Sequence, residues 1–119
     1  KFTDKDDAKS KLKEIVKGLK AENIKEQDIL FLSPKRYEHS ILSELSFAVN
    51  EDVNDKSPDK LPRFSTIHGF KGLDSKVVVM CDLEKIKDRD RATMLYIGAS
   101  RARTLLYLVG SEDFWLNNI

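Results

Sequence analysis

Ser65-Thr66-Ile67-His68-Gly69-Phe70-Lys71-Gly72-Leu73-Asp74 leads into the apolar run Val77-Val78-Val79-Met80-Cys81. Leu95-Tyr96-Ile97-Gly98-Ala99-Ser100-Arg101-Ala102-Arg103 comes next, followed by Leu105-Leu106-Tyr107-Leu108-Val109 and Gly110. The pattern reads as a strand, a glycine-rich polar turn, a buried strand, an amphipathic helix and another buried strand. Val77–Cys81 alternates too little for a half-exposed strand and suits a central parallel strand covered on both faces. The helix is expected to bury Ala92, Leu95, Tyr96, Ala99 and Ala102, with Arg101 and Arg103 at its C-terminal end, where positive charge favours the dipole. The polar groups fall in the turn and at the end of the helix, places that face ligands in open α/β sheets.

Upstream, Ala8, Leu12, Ile15, Val16 and Leu19 recur with a helical period. Thr3 is a candidate N-cap, and Asn23 a candidate terminator. The lysines at 9, 11, 13, 17 and 20 fall mostly on the solvated face. Phe2 reads as the tail of a strand beginning before residue 1. Asp28–Leu32 reads as a short buried strand, and Ser33-Pro34 as the start of a second helix carrying Tyr37, Ile41, Leu45, Ala48 and Val49 on one side. Lys35 and Arg36 then lie at a strand's C-terminal edge, where Arg36 can face a phosphate or remain an ordinary surface charge. His39 is expected to be exposed. The polar, acidic stretch from Asn50 to Pro62 reads as a loop, and Ser111 as the cap of a final turn with Phe114, Trp115 and Leu116.

The 119 residues suit one domain with one core. Twenty-one basic and twenty acidic residues nearly cancel, which argues against a tail that binds nucleic acid by charge alone. Cys81 is the single cysteine, so a disulfide framework and a thiolate metal cluster are ruled out; it is expected to be buried. No apolar run approaches the roughly 20 residues of a membrane span, and an intracellular, cytoplasmic location is the expectation.

Thr66, His68, Lys71, Gly72 and Leu73 match the family pattern Thr-x-His-x-x-Lys-Gly-Leu-Glu, with Asp74 replacing the glutamate. Tyr96, Gly98, Ser100, Arg101 and Ala102 match Tyr-Val-Gly/Ala-x-Ser/Thr-Arg-Ala, with Ile97 for valine. In this order, with a buried strand between them, the two stretches resemble motifs V and VI of the UvrD/Rep-like superfamily 1 DNA helicases. The resemblance implies a three-layer α/β domain with a mostly parallel sheet. This is a RecA-like fold, the second motor domain of a P-loop NTPase without a P-loop of its own. Residues 1–119 would be one such domain lacking the large inserted subdomain.

The resemblance also implies roles. Arg101 is the expected arginine finger on the γ-phosphate of ATP. Asp74 is the expected ribose contact, one methylene shorter than the family glutamate. Lys71, Gly72 and Arg36 join it as nucleotide-side candidates, and Thr66 and His68 as contacts to single-stranded DNA. From spacing alone, Thr66 and His68 also fit a hydroxyl capping the next turn and a histidine ordering a loop. Asp82 and Glu84 follow a strand end, but acid–base or metal chemistry is not assigned to them. ATP with Mg2+ is the implied cofactor, the metal being held by an N-terminal RecA-like motor domain of the same polypeptide. The isolated chain is expected not to hydrolyse ATP. Two other functions fit the same fold: a nucleic-acid or protein-binding module without an ATPase role, and the motor of a nuclease-coupled or remodelling ATPase.

Overall fold

The computed structural model describes residues 5–45, 61–70 and 75–111. The Thr3 cap, the Phe2 strand tail, Ala48 and Val49, most of the 50–62 loop, Lys71, Gly72, Asp74 and the terminal aromatic turn lie outside these residues.

Helix α1, Lys5–Ala21, forms because Ala8, Leu12, Val16 and Leu19 make one buried stripe while Lys11, Lys13, Lys17 and Lys20 stay exposed. It ends where Asn23 takes a left-handed conformation, φ 64°. Asn23 N–H then donates to Lys20 O at 3.0 Å, and Ile24 N–H to Leu19 O at 3.0 Å. This is a Schellman cap, with Ile24 packed against the core beside Leu19.

The four strands are β1 Ile29–Ser33, β2 Arg63–Thr66, β3 Ser75–Met80 and β4 Ala102–Leu108. They form one sheet in the order β2-β1-β3-β4, every pairing parallel. Side-chain alternation divides the core. Ile29, Phe31, Val77, Val79 and Cys81 face α1 on one side of the sheet. Leu30, Leu32, Val78 and Met80 face helix α2, Arg91–Ala99, on the other. The three-layer α/β architecture with a parallel sheet, read from the sequence, is the one observed.

Three local expectations are corrected. The helix expected from residue 34 is absent among the described residues; Tyr37–His39 and Ile41–Glu44 are separate 3-10 turns. Ser40 between them is extended, and its hydroxyl donates to buried Asp82 Oδ2 at 2.5 Å. Ile41 N–H donates to Asp82 Oδ1 at 3.1 Å, so the backbone is drawn to the carboxylate instead of into a helical ladder. On α2, the packed residues are Met94, Leu95, Ile97 and Gly98, whereas Ala92 is exposed and Tyr96 is 76% exposed. A Cβ at Gly98 would collide with Met80 Cε and Sδ, so Gly98 sets the closest approach of α2 to β3. Tyr96 stands about 200° round the helix from it and points to solvent. Finally, β4 is only half covered: it sits at the sheet edge, and Leu106 is 39% exposed.

Candidate functional site

A parallel sheet has two chemically distinct ends, and the candidate residues divide between them. At the C-terminal end, Ile67 N–H donates to Ser33 O at 3.0 Å, carrying the chain from β2 into the turn His68–Phe70. Thr66 Oγ1 accepts from Gly69 N–H at 3.1 Å, so the Thr66 hydroxyl caps this turn. A Cβ at Gly69 would lie 2.8 Å from that same oxygen, which is why a glycine follows at this spacing. His68 is exposed, and among the described residues its side chain makes no hydrogen bond. It is free to meet a ligand. Arg36, also exposed, shares an open concavity of about 180 Å³ with Tyr37, Glu38, Phe64, Ser65 and Thr66. An edge-to-face contact between Tyr37 and Phe64, centroids 5.4 Å apart, forms its floor. Arg36 therefore lies with Thr66, at the opposite end of the sheet from Arg101.

The C-terminal end is also where the strand connections diverge. The chain leaves β1 towards β2 and leaves β3 towards β4, so the crevice between β1 and β3 is the switch point of the sheet. Here it is filled by protein. Asp82, 2% exposed and left-handed at φ 57°, accepts from Ser33 Oγ at 2.6 Å, Ser40 Oγ at 2.5 Å and Ile41 N–H. Lys85 Nζ lies 3.5 Å from its other oxygen. Ser33, Ser40 and Ile41 all donate to this carboxylate and Lys85 offsets its charge, so it ties the two central strands together. The sequence flags it only as a polar residue directly after a five-residue apolar run. Ser33 ends the adjacent strand in the same way, and the two line up once β1 and β3 are known to be neighbours. Burial pushes the neighbouring Cys81 thiol well above its ordinary range, and the Asp82 charge adds to the effect. Among the described residues no group of three or more His, Cys, Asp or Glu side chains could hold a metal ion.

Arg101 lies at the N-terminal end, in the turn between α2 and β4 rather than inside the helix. Arg103 belongs to β4 and is exposed. The Arg101 backbone is held on both sides: its N–H donates to Gly98 O at 3.1 Å, and its carbonyl accepts from Ser75 N–H at 2.8 Å. Its Nε is buried without a hydrogen-bond partner among the described residues. The Nε atoms of Arg63 and Arg91 are in the same state, so it is the planar, permanently charged form of the guanidinium that suits a phosphate-bearing ligand. Ser75 is 1% exposed; its hydroxyl donates to Asp28 O at 3.0 Å and accepts from Arg63 Nη2 at 3.0 Å. The sequence reading missed both Ser75 and Arg63. The only signal was a small polar residue placed two positions before the central apolar run.

The two ends are separated by the length of β3, five steps or roughly 16 Å. One of the crossovers between them passes through the first motif. It leaves the C-terminal end after Thr66 and re-enters the sheet at Ser75, whose N–H holds Arg101. Lys71, Gly72 and Asp74 belong to this stretch and lie outside the described residues.

No curated protein matches this sequence. Among solved structures, the C-terminal domain of a possible DNA helicase from Lactobacillus plantarum WCFS1 superposes with a TM-score of 0.75. The likeness covers 92% of this chain and 70% of that one at 16% sequence identity, and so speaks to the fold. It is the three-layer, RecA-like arrangement that the motifs implied. Residues 62–109, which contain both motifs, match the UvrD-like helicase C-terminal domain, in line with the resemblance of the two motifs.

Proposed function

We propose that this chain is the second motor domain of an ATP-dependent DNA helicase or translocase, one that lacks the large inserted helical subdomain. Its N-terminal sheet end forms one wall of the ATP cleft, and its C-terminal end forms part of a single-stranded DNA track. The observation that carries the proposal is the connection between the ends. The stretch that begins beside His68 finishes at the residue whose N–H holds Arg101.

ATP with Mg2+ supplies the phosphoanhydride to be cleaved, and the metal is held by an N-terminal motor domain of the same polypeptide. Arg101 offers a guanidinium whose Nε has no hydrogen-bond partner among the described residues and whose backbone is anchored on both sides, so it can reach across the cleft with little loss of order. Its planar fork suits two oxygens of the γ-phosphate and offsets charge that develops there. Asp74 accepts from the ribose hydroxyls, and Lys71 and Gly72 approach the nucleotide from the same stretch. Arg36 was grouped with them by resemblance. Its place beside Thr66 supports a phosphate of the DNA backbone as its partner instead. His68 stacks on or hydrogen-bonds to the strand. Thr66 orders the turn that presents His68, and its hydroxyl proton remains available to a phosphate.

Movement of the motif stretch by DNA would shift the chain that leads into Ser75, and through it Arg101. Titration of the full-length protein with a fluorescent ATP analogue tests the nucleotide half: Asp74→Ala should weaken binding and Asp74→Glu should restore it. Fluorescence anisotropy with a labelled oligonucleotide tests the DNA half at matched salt. There His68→Ala should cost about 1–2 kcal/mol. Parent affinity for both ligands in both alanine variants would leave a plain binding module as the function of the fold.

A further inference from the structure

Among the described residues, Ser75 reaches the entrances of all four strands. It opens β3, its hydroxyl meets Asp28 just ahead of β1 and Arg63 at the head of β2, and its N–H meets Arg101 just ahead of β4. Arg63 spans β1 to make its contact, since β2 and β3 are not neighbours. Beside this junction the β3–β4 register slips: Ser75 pairs with Ala102 but Val77 with Leu105. Two steps along β3 thus face three along β4, a bulge immediately after Arg101. Bulges re-aim the chain next to them, and this one is paired with a buried anchor that fixes where the turn begins.

We infer that the Arg63–Ser75 pair is a positioning device for Arg101, setting where the guanidinium enters the ATP cleft. The inference rests on the reading of Arg101 as the finger. Arg63 donates to a hydroxyl that is itself locked to the Asp28 carbonyl, and that serine carries the N–H that holds the Arg101 carbonyl. Without Arg63, the serine keeps its Asp28 bond but loses the partner that ties it across β1. The α2–β4 turn then hangs on the remaining bonds. Finger geometry tolerates little error: a displacement of about 1 Å can cost on the order of 100-fold in rate.

The experiment is steady-state ATP turnover with saturating single-stranded DNA, using full-length protein carrying Arg63→Ala, Arg63→Lys, Arg101→Ala and the double alanine variant. Urea unfolding of each confirms that it is folded at the assay temperature. The expected result is a fall in kcat of about 10- to 100-fold for Arg63→Ala with KM for ATP nearly unchanged. Arg63→Lys, which keeps a donor for Ser75, should recover part of it. In the Arg101→Ala background, Arg63→Ala should have no further effect, because a positioning residue has nothing left to position. A raised KM with intact kcat would make Arg63 a nucleotide contact and overturn the inference. Multiplicative loss in the double variant would also overturn it, since Arg63 would then act independently of Arg101. If Arg101→Ala alone turned over ATP at the parent rate, the finger reading itself would fail, and this outcome is distinct from the other two.

Discussion

Replacing Asp82 with alanine removes the acceptor on which the centre of the sheet converges. Ser33 Oγ, Ser40 Oγ and Ile41 N–H all donate to its carboxylate, in a site 2% exposed to solvent. The hydroxyls can turn. Ser33 Oγ still accepts from Lys35 N–H, and Ser40 Oγ from Leu42 N–H, so each loses about 1 kcal/mol. The Ile41 N–H cannot turn, and an unmet buried donor costs roughly 1–3 kcal/mol. Alanine at φ 57° adds about 1 kcal/mol of backbone strain that aspartate tolerates better. Relief from burying a carboxylate offsets part of this. The net expectation is a loss of about 3–5 kcal/mol for Asp82→Ala. Asp82→Asn, which keeps the shape and tolerates the backbone but turns one acceptor into a donor, should lose about half as much. Domains of this size have roughly 5–15 kcal/mol to lose. Urea unfolding of the 119-residue chain, followed by circular dichroism, should therefore show Asp82→Ala with a midpoint lower by about 2 M, at a slope near 1.5–2 kcal/mol/M. A loss below about 0.5 kcal/mol would mean that water satisfies the cluster and that Asp82 does not join β1 to β3.

Other expectations follow from the packing and the sites. Gly98→Ala gains about 1 kcal/mol of helix propensity but must displace fully buried Met80, so its net cost should be small, whereas Gly98→Val should cost roughly 2–3 kcal/mol by thermal melting. The Cys81 thiol is raised by burial, so above about pH 8.5 the unfolded thiol ionises while the folded one does not. Stability should then fall with rising pH by up to about 1.4 kcal/mol per pH unit, and a Cys81→Ala variant should lack that share of the slope. The purified 119-residue chain should release no phosphate from ATP, with or without single-stranded DNA. Turnover that copurified with the domain and vanished on Arg101→Ala would contradict this.

Much of the fold was legible because buried parallel strands announce themselves as unbroken apolar runs, and Ile29–Leu32 and Val77–Cys81 are such runs. The α1 stripe and the Asn23 stop were equally plain, since both are local effects. The second helix was misread because Tyr37, Ile41 and Leu45 have helical spacing. What breaks it is Asp82, forty-two residues from Ser40, a partner that spacing cannot reveal. The α2 face was misassigned because Tyr96 counts as apolar in a periodicity, while the residue that sets the helix rotation is Gly98, which has no side chain to count. For the site, motif spacing named Thr66, His68 and Arg101 but left their division between two sheet ends hidden. That division depends on which end of which strand each residue adjoins. Ser75 and Arg63 were illegible for the same reason, since their contact crosses an intervening strand.

The central claim is that one end of the sheet handles nucleotide and the other DNA. It is tested most directly by measuring ATP turnover and oligonucleotide affinity on the same preparation of full-length Arg101→Ala, at one salt concentration. The account predicts DNA affinity within about twofold of the parent, because Arg101 sits roughly 16 Å of strand away from His68. It predicts that DNA-stimulated turnover falls by roughly 10³-fold, the scale of losing a finger guanidinium. Parent-rate turnover with weakened DNA binding would contradict it, and would assign the N-terminal end of the sheet to the nucleic acid.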